Sequence, residues 1–460
     1  MIRRRGVLAA TAALSGVVPA AARAAEGVSL PPLALSDRRL ANGLRVVGLP
    51  VAGAGTVAVQ VWYRVGGKDD PPGRSGFAHL FEHLMFKRTA KLPDEAFDRL
   101  TEDVGGANNA FTAADVTVYT NDVPANHLER LLWAEAERMQ NLRVDAGNFA
   151  SERDVVKEEL RERVEADPYG RLFEALPGLA YQRHPYKRPV IGRIADLDAA
   201  TLADVQRFHA TFYRPDNAVL IVAGGFDPAD LDRWVDRHFG PLITPRAPIP
   251  RVTVTEPRRS EGRRVRLHAP IVPLPAVALL WQGPRAGAAD APALQVASAL
   301  LSQGDSARLA ETLVYRDQLA QSAGFWADLN ADAGMLAAYA VAAGGRTPEA
   351  VEKALQAELK RLATQPIGDA ELDKVRTQLL TAVVAGRQSP AGLADAAGWA
   401  IVNHGDPREA EAEVARLQAV TAADVQRVLR RHVLERPVVA VHYSAAMDKK
   451  AGKAAGKAGQ

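Results

Sequence analysis

The chain contains no cysteine. A disulfide framework and any thiol chemistry are therefore excluded, and cysteine usage is neutral on compartment. It also lacks a real excess of charge. The formal net charge is +3, but residues 1–24 hold four Arg and no acid, and the stretch after Ser444 holds four Lys and one Asp, so the body between them is about −4. A pI near 9.0 thus belongs to the ends, and nothing points to nucleic acid. No run is long enough to span a bilayer. The apolar stretch from Val7 to Ala22 is interrupted by Pro19, and no stop-transfer pattern follows it.

That stretch has another reading. Arg3-Arg4-Arg5 is a positive start, and Ala22-Arg23-Ala24 fits a small-x-small cleavage site. A signal peptide over 1–24 is expected, with a mature start at Ala25 and a periplasmic or secreted protein. The lysine-rich end, 445–460, is of low complexity and is expected to be disordered. With 460 residues, 47% apolar and 24% charged, the rest is globular and too long for one core.

Strands are expected at Leu44–Leu49, Val57–Val65, Ala107–Thr112, Val116–Asp122 and Ala218–Ala223. Helices are expected over Asp94–Val104, with Asp94 as N-cap, over 125–140, 145–166 and 170–180, and over Thr201–Phe212 and Pro228–Phe239. A proline-rich connector, 241–262, follows, and its Arg258, Arg259, Arg263 and Arg264 read as solvated. The second half then repeats the first. Thr201-Leu-Ala-Asp-Val-Gln-Arg returns as Thr421-Ala-Ala-Asp-Val-Gln-Arg, with an Arg-Pro and an apolar strand after each. The expected fold is α+β: two similar, duplicated α/β-sandwich domains, 25–240 and 263–444, each an antiparallel-rich sheet covered by helices.

The chemistry concentrates at Gly76 to Phe86, which contains His79-Leu-Phe-Glu82-His83. On a helix, His79 and His83 lie one turn apart and can offer two imidazoles to one metal ion. Glu82 beside them can take a proton from an attacking water. His-x-x-Glu-His inverts the usual zinc-peptidase order. Downstream, Glu152 and Glu159 are two helical turns apart and share a face with apolar Val155, Val156 and Leu160 near it. A carboxylate turned inward needs a partner, and zinc is one. Glu158, Glu162 and Glu165 read as solvated charges. The second half has no such motif, and its His268, His404, His432 and His442 are scattered.

These residues, with Asn108-Asn-Ala-Phe-Thr112, Glu152 to Glu159, His184-Pro-Tyr186 and Phe212 to Ala218, resemble the pitrilysin / insulinase / mitochondrial processing peptidase family of zinc endopeptidases. The resemblance implies Zn2+ on His79, His83 and Glu159, Glu82 as general base, and Glu152 as the acid that orients a ligand. It implies that 107–112 is an edge strand, presenting Asn109 and Ala110, to which an extended peptide adds. It implies half of a clamshell.

One departure is evident. Active family members carry an Arg and a Tyr seven apart in the second half, and those positions here are Val314 and Gln321. Arg308 and Arg316 are near but off register. The expectation is a zinc endopeptidase acting on peptides or unfolded polypeptides, completed by a heterodimer partner of the same fold that supplies Arg and Tyr. The alternative is a non-catalytic peptide-binding or scaffold member.

Overall fold

The computed structural model describes residues 27–446. The signal-peptide reading and the tail beyond Ala446 lie outside them. Eleven strands form two sheets among the described residues. The first contains β1 (Ser36–Arg39), β2 (Arg45–Pro50), β3 (Thr56–Tyr63), β4 (Ala107–Thr112), β5 (Thr117–Pro124) and β6 (Ala218–Gly224). Its spatial order is β1-β2-β6-β3-β5-β4. The second contains β7 (Arg263–Ala269), β8 (Ala276–Gly283), β9 (Ala320–Leu329), β10 (Gly334–Ala342) and β11 (Val439–Ala445), in the order β7-β11-β8-β10-β9.

The helices of the first half are α1 (Phe77–Leu84), α2 (Ala96–Glu102), α3 (Leu128–Asn141), α4 (Ala146–Leu160), α5 (Gly170–Ala180), α6 (Ile194–Asp198), α7 (Leu202–Phe212) and α8 (Pro228–His238). Those of the second are α9 (Ala291–Ser302), α10 (Pro348–Thr364), α11 (Asp369–Gly386), α12 (Pro390–His404), α13 (Glu409–Ala419) and α14 (Ala422–Leu429).

The two sheets share one topology. β2 pairs with β6 in parallel, as β7 does with β11. The remaining pairs of each sheet are antiparallel, which leaves β4 and β9 as equivalent edge strands. The echo at Thr201 and Thr421 is a capping box in both places: each Thr side chain accepts an N–H from the Asp three residues on, and that Asp answers. The mixed, duplicated α/β fold is as the sequence led one to expect. β1 is an addition, too short and polar to show an alternating pattern.

Each half lends a helix to the other. The core between the first sheet and α1, α3, α7 and α8 holds one face of that sheet. The opposite face, with Val47, Trp62 and Ile221, is covered by Ala394 and Ala397 of α12, from the second half. Reciprocally, Leu172, Leu176 and Ala180 of α5 cover the outer face of the second sheet. A polar latch reinforces the exchange. Lys68 Nζ lies 2.7 Å from Asp115 and 2.8 Å from Asp332, and the Tyr186 hydroxyl donates to Asp115. His184 and then Lys68 hold the Asp332 carboxyl well below its usual range.

Several local expectations need correction. Asp94 does not cap α2; it accepts the Arg88 N–H at 3.1 Å, and the helix starts after Glu95 in a left-handed conformation (φ 62°). The helix expected over 145–166 is α-helical only to Leu160 and continues as a wider π-type turn through Ala166. Val155 points to solvent, so the inward face of α4 carries Val156 and Leu160 without it. α9 is apolar nearly all round: it is buried on most sides and shows no amphipathic stripe by which periodicity would find it. Arg259 is not merely solvated, since it donates to the last carbonyls of α5, Leu179 and Ala180. Ala445, read as tail, pairs with Ala269 inside β11.

Candidate active site

α1 is only eight residues long, and its start is held from outside. Asp70, buried, accepts the N–H groups of Gly76 at 2.7 Å and Ala78 at 2.9 Å. Burial pushes the Asp70 carboxyl up to about 7, against the pull of those two donors. Gly76 itself sits at φ +91°, and a Cβ there would fall 2.9 Å from the Gly192 Cα. Only glycine allows both the turn and the approach.

The helix so placed packs on α4 and brings five predicted residues together. His79 is buried; His83, Glu82 and Glu159 are half-buried. One ligand atom each from His79, His83 and Glu159 lies within 4.8 Å of the others. Glu159 Oε2 is 3.6 Å from His79 Nε2 and 3.4 Å from His83 Nε2. Ligands at zinc's usual bond lengths in a tetrahedron stand roughly 3.3 Å apart. The residues present therefore fit a single zinc ion, with two nitrogens and one oxygen as donors. Burial, then the neighbouring His83, lowers His79 to about 3, which keeps it in the neutral form a ligand needs.

The supports are equally specific. His83 Nδ1 faces Glu152 Oε2 at 3.6 Å, turning Nε2 toward Glu159. Glu152 is buried, and its other oxygen is held by Lys87 Nζ at 2.8 Å. Arg163 holds the far oxygen of Glu159 at 3.0 Å. Glu82 accepts the Thr112 hydroxyl at 2.6 Å on Oε2. Burial raises its pKa, and the Thr112 bond opposes that rise. Thr112 closes β4, so the carboxylate is tied to the sheet's edge strand. On that strand Asn109 is exposed, and its Oδ1 accepts the Ala110 N–H at 2.8 Å.

The family model for Insulinase (Peptidase family M16) matches residues 46–193, and that for the Peptidase M16 inactive domain matches 199–379. The chain is similar to zinc protease PqqE of Helicobacter pylori, 34% identical over 343 residues, 73% of this chain and 76% of that protein. An uncharacterized zinc protease of Mycobacterium bovis is 32% identical over 414 residues, 88% of this chain and 92% of that one. The crystal structure of a protease from Helicobacter pylori superposes with TM-score 0.87 at 30% identity, over 90% of this chain and 100% of that chain.

This chain belongs to the M16 peptidase family. The motif half matches the model named for the peptidase, and the other half matches the one named inactive, in keeping with a second half that has no such cluster among its described residues. In this M16 chain Val314 is half-buried against the second core, and Gln321 is exposed on β9. Arg308 is engaged in a two-pronged pair with Glu371 at 2.7 Å, and Arg316 pairs with its neighbour Asp317. No described helix is long and apolar enough to cross a membrane.

Sequence reasoning did not single out Asp70, Lys87, Thr112 or Arg163. Thr112 had a faint signal, since strand alternation puts it on the same face as Ala110. Asp70 and Lys87 had none: one caps a helix from six residues before Gly76, and the other lies beyond the end of α1.

Proposed function

We propose that this M16 chain is a zinc-dependent endopeptidase that hydrolyses peptides or unfolded polypeptides. The observation that carries the reading is the convergence of His79, His83 and Glu159, with Glu82 on the same short helix. His79, His83 and Glu159 would hold the ion, which when bound supplies Lewis-acid polarisation of a peptide carbonyl and a more acidic water. Glu82 takes the proton of the attacking water and delivers it to the leaving amine. Thr112 fixes one of its oxygens, which leaves Oε1 for the proton. Glu152 keeps the His83 ring in one orientation. The peptide lies as an added strand along β4, with Asn109 and Ala110 at its open edge. For that, the Asn109 side chain gives up the Ala110 N–H.

The clamp positions support a partner. Val314 has no side-chain donor, and Gln321 is neutral. A heterodimer with a chain of the same fold would supply Arg and Tyr to the peptide carbonyl. The same gap favours a second reading, a non-catalytic peptide-binding member. The domains are 25–240 and 263–445, joined by 241–262, in a protein exported after cleavage near Ala24.

The test pairs metal content with turnover. The mature chain should carry one zinc per chain by elemental analysis, and His79→Ala or Glu159→Ala should remove most of it. Zinc that is equal in wild type and His79→Ala removes the ligand assignment. Zinc retained without peptide hydrolysis, even with the partner present, leaves the second reading.

A further inference from the structure

We propose that the cavity at the start of α1, walled on one side by the connector, is an effector site for a small carboxylate with a compact apolar body. The inference goes beyond the peptidase reading and does not depend on it.

The cavity measures about 580 Å³, within the range of pockets that hold small molecules. None of its lining residues belongs to the metal cluster or to β4. Its apolar lining comes from Phe77, the first residue of α1, from Phe208 and Phe212 of α7, and from Pro71 and Pro72. The connector contributes 250–254. Arg251 fixes that stretch, donating to the Arg64 carbonyl at 3.0 Å and to Asn217 Oδ1 at 2.6 Å. Val254, beside it, is left 43% exposed.

The polar groups around this lining are mostly cationic. Arg188 donates through Nη2 to the Lys68 carbonyl at 2.8 Å, and its Nε is buried without an acceptor. No carboxylate pairs with Arg188 among the described residues, and Arg251 has only a carbonyl and an amide oxygen. Arg74 and Arg207 share one acid, Asp204, at 3.1 Å and 3.5 Å. Lys68 is engaged by Asp115 and Asp332. Burial pushes the other two acids of the lining up, Asp69 to about 6 and Asp70 to about 7, so their charge is reduced near neutral pH. A site with more guanidinium than carboxylate is completed by an anion, and the planar fork of Arg suits a carboxylate. Phosphate alone would leave the Phe rings uncovered, and a neutral molecule would leave the arginines unmet.

Occupancy bears on α1. Asp70 lines the cavity and also accepts the Gly76 and Ala78 N–H groups that seat the helix. Phe77 stands between those two donors in the chain. A ligand packed on Phe77 binds best when α1 is seated, and so favours that state. It acts on the helix that carries His79, Glu82 and His83 without touching any of them.

The test uses the full mature chain loaded with zinc, with phenylbutyrate as probe and calorimetry as readout. One saturable site per chain is expected. Phenylbutanol, its neutral counterpart, and inorganic phosphate, an anion without an apolar body, should each bind at least about tenfold more weakly. Arg188→Gln should weaken phenylbutyrate binding by a similar factor, and Thr211→Trp, which fills the cavity from α7, should abolish it. Amide exchange at Gly76 and Ala78 should slow when the probe is bound. Absence of saturable binding overturns the proposal, as does phosphate binding as tightly as phenylbutyrate. Binding that survives Thr211→Trp but is lost in His79→Ala would put the carboxylate on the metal and overturn it too. Unchanged exchange at Gly76 and Ala78 at saturation overturns the effector role.

Discussion

β4 and β9 occupy the same place in two sheets of the same topology, and they are finished differently. At β9 the adjoining helix, α9, closes on the edge: Ser298 Oγ donates to the Phe325 carbonyl at 2.9 Å, and Ser302 Oγ accepts the Phe325 N–H. At β4 the adjoining helix is α1, which offers imidazoles and a carboxylate instead. There the Ala110 N–H donates to the side chain of the preceding residue, Asn109. An exposed strand edge is ordinarily a liability that folds cover or blunt. The duplicated unit covers it in the second half and leaves it open beside the titratable cluster in the first. The difference teaches that two halves on one shared scaffold are set apart by what the neighbouring helix carries.

The contrast can be broken most severely at Glu82. Glu82→Gln keeps the Thr112 hydrogen bond and the shape of the site but cannot take a proton. Turnover of a fluorogenic peptide should fall by about two to four orders of magnitude with zinc content unchanged. Near-normal turnover would show that the base lies elsewhere.

The partner tests whether the second half is truly idle. Mixed with a family-like chain that keeps Arg and Tyr, this one should gain at least roughly tenfold in rate, a modest share of what a transition-state donor contributes. Full activity from this chain alone, established by sedimentation and kinetics together, would contradict the heterodimer.

The seat of α1 is expected to matter for stability. Asp70→Ala leaves two buried N–H groups without an acceptor, so denaturant unfolding should show a loss of about 2 kcal/mol, with zinc affinity falling alongside. A loss within measurement error would mean that the Gly76–Gly192 contact alone places the helix.

The smallest effect belongs to the second half. Gln318, two residues before β9, has φ +48°. Gln318→Gly should relieve that conformation and raise stability by at most about 1 kcal/mol, because glycine also gains freedom in the unfolded chain. A drop in melting temperature would assign the Gln318 side chain a contact of its own.

Much of the site was legible because its information is local. His79 and His83 are one turn apart on any helix, and Thr201-x-x-Asp204 caps a helix whatever lies around it. Duplication was legible too, since a repeated capping box and strand survive in the letters. α9 was not, because periodicity reports burial only when one face stays wet. Nor was the exchange of α5 and α12, since an apolar stripe does not say which sheet will cover it.

The amino-acid order by itself determined the pair of imidazoles, the carboxylate beside them and the two-part plan of the chain. The family resemblance already named Glu159 as the ligand and Glu152 as the residue behind it, but the residue pattern alone leaves the two alike, and the tertiary structure is what sets Glu159 against both imidazoles and Glu152 against one. Glu152 and Glu159 share one face of α4 and differ in the sequence only by position. Their separation into two tasks comes from the packing of α4 on α1, a contact between segments some seventy residues apart that no local pattern encodes.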